Sequence, residues 1–234
     1  GQFGSLPLFS TRFENGGILG ADNLGDWLLH LLLLLWTVMF YHQNLKPLSL
    51  RQAPQPLRFA LAAVYYSAVM AGIWYSVDLL GGLVWRSGVT FDFENLFNLK
   101  LNGLMTLTGI IVWIAILFLF THRLLVTIKG FELTQAQRVT AMLPAAVLLY
   151  VVSVAFPVWQ VNALYLLAFG LMYLVVFDYF TDWDEPGFGW VACWLLLFSF
   201  FTALLLFRFN SDKDRNTRFT LAIELADERD TLAV

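Results

Sequence analysis

Residues 194–207 read WLLLFSFFTALLLF, without one charged side chain, and residues 208–234 continue as RFNSDKDRNTRFTLAIELADERDTLAV, dense in charge. The first stretch is stable in hydrocarbon and the second only in water, so the chain crosses a lipid boundary near residue 207. The rest of the sequence has the character of the first stretch. It is 59% hydrophobic, 17% aromatic and only 13% charged, with mean hydropathy +0.69, whereas a soluble domain carries roughly 25% charged residues. A soluble chain needs charge to cover its surface, and these numbers exclude that class.

Six apolar segments, at about 26–42, 58–83, 102–123, 139–156, 161–180 and 188–207, are long enough or nearly so to cross a hydrocarbon core that needs about 20 helical residues. None alternates with period two, so backbone groups in lipid are best satisfied by helices rather than by a barrel. The expected fold class is all-α, a polytopic transmembrane bundle of about six spanning helices with a charged C-terminal helical stalk. Three regions follow: an extramembrane segment 1–25, a membrane domain 26–207 and a charged helical connector 208–234 leading to a further domain. The connections read as turns: LKPLSLRQAPQPLR (45–58) holds three prolines, FPVWQVN (156–162) is tight, and FTDWDEPG (180–187) closes on Pro-Gly. Trp27, Tyr41, Trp85, Trp159, Tyr179, Trp183 and Trp190 fall at predicted helix ends, where they are expected to anchor the headgroup zone. No internal repeat is visible.

Lys46, Arg51, Arg58, Arg123, Lys129 and Arg138 flank the first and third connections, which places those connections in the cytoplasm by the positive-inside rule. Both termini then lie outside, although Arg208, Lys213, Arg215 and Arg218 of the tail oppose that orientation. A net charge of −3 without a basic stripe argues against nucleic acid as a partner. The one cysteine, Cys193, lies in an apolar run as a small packing residue and can form no intramolecular disulfide.

Candidate polar signalling residues are few. Asp26 and His30 share a face at the start of the first helix and could relay protons, but a first-turn acid complementing the helix dipole is the stronger reading. Asp78 follows the aromatic patch YYSAVMAGIWYS (65–76) and sits close to Gly81-Gly82 and the membrane edge, which favours interfacial exposure over a buried site. Asp178, Asp182, Asp184 and Glu185 could offer oxygen ligands to a divalent cation, yet their spacing matches no closed loop, and a solvated acidic turn is expected. His30, His42 and His122 fall at three different membrane edges. No nucleophile elbow, zinc-binding helix, Walker loop or dinucleotide fingerprint occurs, so no catalytic, cofactor or metal residue is assigned. Gly72, Gly103, Gly109 and Gly170 suit close helix approach. In the tail, Asp214 precedes Arg218 at i+4, and Phe219, Ala222, Ile223 and Ala226 share a face. It reads either as a rigid continuation of the sixth helix or as a frayed, solvated terminus.

LPLFS (6–10), NLGDWLLHLLLLLWTVMF (23–40), FDFENLFNLKLNGLMTLTGI (91–110) and FSFFTALLLFRFNSDKDRNTRFTLAIELADERD (198–230) together resemble the multi-helix membrane region of large bacterial sensor histidine kinases of the nitrogen-regulation type. The family's Leu-Ala-x-x-Leu-Ala-x-x-Arg-Asp connector corresponds to Leu221, Ala222, Leu225, Ala226, Arg229 and Asp230. The resemblance implies a bacterial inner-membrane protein whose downstream sensor and kinase domains use ATP and Mg, dimerise and pass a phosphoryl group to a response regulator. Neither a His-Glu-x-x-Asn-Pro box nor an ATP site occurs in residues 1–234, so none of that chemistry is carried by this chain. The rival expectations are a small transporter or channel, with Asp78, Gln160 or Asn162 lining a path, and a structural subunit of a membrane complex.

Overall fold

The computed structural model describes residues 13, 18–44, 53–86, 101–157, 159, 161–181 and 188–232. Among the described residues there are six helices: α1 (Leu24–Asn44), α2 (Gln55–Arg86), α3 (Leu101–Lys129), α4 (Gln135–Ala155), α5 (Ala163–Thr181) and α6 (Phe188–Leu232). No strand occurs among the described residues, and each of the six is long and apolar enough to cross a membrane. The protein is a multi-pass, all-helical membrane protein. Lys46, Arg51, Arg12, Lys100, Gln160, Asp182, Trp183, Asp184 and Glu185 lie outside the described residues.

Hydrocarbon offers no hydrogen-bonding partner, and the helices answer this internally. Thr37, Ser67, Ser76, Thr106, Thr108, Thr127 and Thr140 each donate a side-chain hydroxyl to the carbonyl four residues earlier, which makes a polar side chain compatible with an apolar segment. Thr134 starts α4 with a capping box: its Oγ1 accepts from the Gln137 N–H at 3.3 Å while Gln137 Oε1 accepts from the Thr134 N–H at 3.0 Å.

The order of crossing sets the two ends of the bundle. The 44–55, 129–135 and 181–188 connections share one end, here the basic end. The start of α1, the α4–α5 turn and the outgoing stretch of α6 share the other, the stalk end. α2 is the hub, packing on α3, α4, α5 and α6, while α1 packs on α3. Accordingly 61% of the apolar window of α2 is buried, against 22% for α1. Aromatic contacts seat α6: Phe201 stacks on Phe169 at 3.5 Å, Trp194 meets Phe118 at a tilt at 4.2 Å and Phe198 meets Tyr173 edge-on at 5.2 Å between ring centroids.

Two sequence expectations change, those for Trp27 and Trp159. Before α1, Phe13, Ile18 and Ala21 are buried against the bundle. Ile18 and Ala21 exchange backbone hydrogen bonds of 3.0 Å around Leu19 and Gly20, whose positive φ values of 55° and 73° form the turn that hairpins favour. Trp27 is not an interfacial anchor but fully buried, wedged where Gly109 leaves room; a Cβ on Gly109 would fall inside its indole. Trp159 fills the equivalent space over Gly81 and stacks on Trp85 at 6.2 Å. Without a hydrophobic force between helices, such small-residue notches carry the packing.

Gly81→Ala and Gly109→Ala should therefore each destabilise by about 1–3 kcal/mol through overpacking, read as a lowered thermal midpoint of the purified protein. Gly189→Ala, where a Cβ meets nothing within 4 Å, should leave the midpoint unchanged or slightly raised.

Candidate functional site

The strongest polar cluster lies at the basic end. Arg138, in the first turn of α4, and Asp178, in the last turn of α5, are 7% and 8% exposed. Arg138 Nε donates to Asp178 Oδ2 at 3.1 Å, and Tyr66 of α2 donates its hydroxyl to Asp178 Oδ1 at 3.1 Å. One carboxylate thus holds three helices. Beside it, a cavity of about 240 Å³ is lined by Gln135, Met142, Asp178, Tyr179 and Cys193. The expectation of a solvated acidic turn fails at Asp178: its position in the helix puts it on the face toward α4 and α2, where Arg138 and Tyr66 replace water.

Two further links run from α3. Tyr173 donates to Thr121 Oγ1 at 2.9 Å, and Trp113 Nε1 donates to Ser76 Oγ at 2.9 Å. At the stalk end Trp159 Nε1 donates to Asp78, reaching its backbone carbonyl at 3.1 Å and its Oδ1 at 3.2 Å. Asp78 is half-buried, so this carboxylate braces the α4–α5 turn on α2. Also at the stalk end, Lys213 Nζ donates to the Val84 carbonyl at 2.6 Å, tying α6 to the last turn of α2.

The other sequence candidates are separate from these clusters. Asp26 accepts at Oδ2 from Asn23 Nδ2 at 2.6 Å and donates its N–H to Asn23 Oδ1 at 2.8 Å, a reciprocal cap of α1. His30 is exposed, and among the described residues no hydrogen bond joins it to Asp26. Leu221 and Leu225 of the connector are exposed at 52% and 63%, as is Ala222; Ala226, Arg229 and Asp230 belong to α6, but their side chains lie outside the described residues. Asp212, rather than Asp214, takes the basic partners of the stalk, with Arg208 at 4.0 Å and Arg215 at 3.8 Å. The histidines are corrected too: α1 and α3 run parallel, and His42 Nε2 meets His122 Nδ1 at 3.0 Å. No group of three metal-ligating side chains occurs among the described residues.

Sequence reasoning placed Arg138 and Lys213 only as loop and tail charge and missed Tyr66. The available signal was topological: Arg138 and Asp178 border connections that six crossings bring to the same end. No protein family, curated protein or solved structure matches this chain.

Removing one partner of a buried ion pair leaves an uncompensated charge, at a cost of about 3–5 kcal/mol. Asp178→Asn should lower the thermal midpoint of the purified protein accordingly, and the double change Arg138→Met with Asp178→Leu should restore most of it. A double variant no better than the single would assign the cost to lost hydrogen bonds rather than to charge.

Proposed function

We propose that this chain is the membrane-embedded sensor and relay portion of a bacterial two-component histidine kinase of the inner membrane. In this reading, the signal shifts the balance between two arrangements of the bundle. ATP, Mg and the phosphoryl transfer to a response regulator belong to domains beyond this chain. The observation that carries the reading is that α6 runs unbroken from Phe188 to Leu232. It is about 68 Å long at 1.5 Å per residue, against a hydrocarbon core of about 30 Å. A rod that begins among the packed aromatics and leaves the membrane as helix is the element such a relay requires. Phe219 and Ile223, exposed at 67% and 53%, give the stalk an apolar face on which two copies could pair.

A second reading, a small transporter, is favoured by the buried Arg138–Asp178 pair, because ionisable residues inside a membrane bundle commonly mark ion or proton paths. The transporter predicts solute uptake by vesicles containing the purified chain alone.

The coding DNA through and beyond Val234 separates the two: an open frame reaching a His-Glu-x-x-Asn-Pro helix supports the relay, and a stop codon directly after Val234 overturns it. Within the relay, Thr217→Pro should break the stalk at an exposed position, costing about 3 kcal/mol of local helix. Autophosphorylation of the parent kinase should then persist while its response to signal disappears.

A further inference from the structure

A second cluster at the basic end shares no residue with the Arg138–Asp178–Tyr66 cluster. His42, in the last turn of α1, and His122, in α3, share the 3.0 Å nitrogen contact with rings stacked at 5.3 Å. Phe118 stacks on His122 at 6.1 Å. Arg123, the next residue, is only 8% exposed, with its guanidinium carbon 5.8 Å from the centre of the Tyr41 ring. Its Nη2 is buried without a hydrogen-bond partner. No carboxylate lies within ion-pair distance of it among the described residues.

Arg123 and Arg138 make an instructive pair. They are almost equally buried, at 8% and 7%, and they lie at the same end of the bundle. Asp178 answers Arg138, but no carboxylate among the described residues answers Arg123. A guanidinium cannot shed its proton to escape burial, and an isolated buried cation costs several kcal/mol. Tyr41 offsets part of this through its ring face. The unused donor still requires an acceptor, and that acceptor has to be anionic to balance the charge.

Position selects the anion. Tyr41 lies three residues before the end of α1 and Arg123 six before the end of α3, about 5 and 9 Å inside the helix ends. That is the depth at which lipid phosphates meet protein, and basic pockets between spanning helices at this depth suit anionic headgroups. The planar fork of Arg123 matches a phosphate in a two-bond grip. His42 and His122, joined by their mutual 3.0 Å contact, add polar ring nitrogens at the rim. We propose that Arg123, with His42 and His122, binds a phosphate oxyanion at the membrane boundary, either the headgroup of an anionic phospholipid or a free phosphate. This site is independent of the relay reading and would exist equally in a transporter.

The test is a thermal-shift titration of the full chain in neutral detergent with phosphatidylglycerol, phosphatidylcholine or inorganic phosphate, repeated for Arg123→Met, Arg123→Lys and the stalk-end control Arg208→Met. Loss of a charge-assisted bidentate contact should weaken phosphatidylglycerol binding about tenfold or more in Arg123→Met. Arg123→Lys should fall between, and Arg208→Met should match the unaltered protein. Arg123-dependent stabilisation by phosphatidylglycerol alone identifies a lipid headgroup; the same dependence with inorganic phosphate identifies free phosphate. Should Arg123→Met not fold, native mass spectrometry of the unaltered protein decides, since retention of phosphatidylglycerol no greater than of phosphatidylcholine, with no phosphate adduct, overturns the proposal. Equal titrations for unaltered and Arg123→Met protein overturn it as well.

Discussion

Lipid cannot satisfy a polar group, and the rest of this structure depends on that constraint. In water, a hydroxyl or carboxylate that misses its partner is solvated; within a membrane bundle it stays unpaired, at a cost of several kcal/mol in hydrocarbon. The chain meets this in two ways. Serine and threonine hydroxyls turn back on their own helices, which leaves those helices free to face lipid or one another. Asp178, Trp113 and Tyr173 instead reach a neighbouring helix, while the indole N–H groups of Trp27 and Trp74 and the Ser153 hydroxyl are buried without a partner among the described residues. These interhelical bonds fix which helices are neighbours, because apolar faces in an apolar solvent discriminate poorly between partners.

Packing supplies the remaining specificity through shape. Burying a leucine gains little when the alternative is a lipid tail, so contact area has to come from close fit. Gly109 receives Trp27 and Gly81 receives Trp159, so two tryptophans near the stalk end sit in the notches that glycine leaves. Gly170 works similarly on a smaller scale, with Met70 Sδ 2.7 Å and Leu149 Cδ2 3.1 Å from where its Cβ would stand.

The six spans and their all-helical character were legible because hydropathy over about 20 residues is a local property of the chain. The stalk, too, was readable as a helix, though its ion pairs were assigned one turn out of place. Pairings across the bundle were not legible. Asp178 stands beside three further acids in sequence and so looked solvated, yet its partner Arg138 lies 40 residues away and Tyr66 112 residues away. His42 and His122 are 80 residues apart, and hydropathy alone does not say that α1 and α3 lie side by side. Trp27 and Trp159 illustrate the same gap, since a tryptophan near a helix end suits the headgroup belt and a glycine notch equally well. Only the helix opposite decides between them.

α2 has a particular place in this arrangement because it meets polar partners at both ends of the bundle. Toward the basic end Tyr66 bonds Asp178; toward the stalk end Asp78 braces Trp159 and Val84 accepts from Lys213. The last turn of a helix carries carbonyls without intrahelical partners and the negative end of the dipole, so a lysine there is held by both hydrogen bond and charge. α2 spans about 48 Å as one helix, and a packed helix moves as a body rather than compressing. An axial shift of α2 that loosened Tyr66 from Asp178 would therefore also carry Val84 past Lys213. Lys213 thus fastens the stalk to a helix that the buried carboxylate also holds, so the hydrogen bond of Tyr66 to Asp178 and that of Lys213 to Val84 constrain the same body.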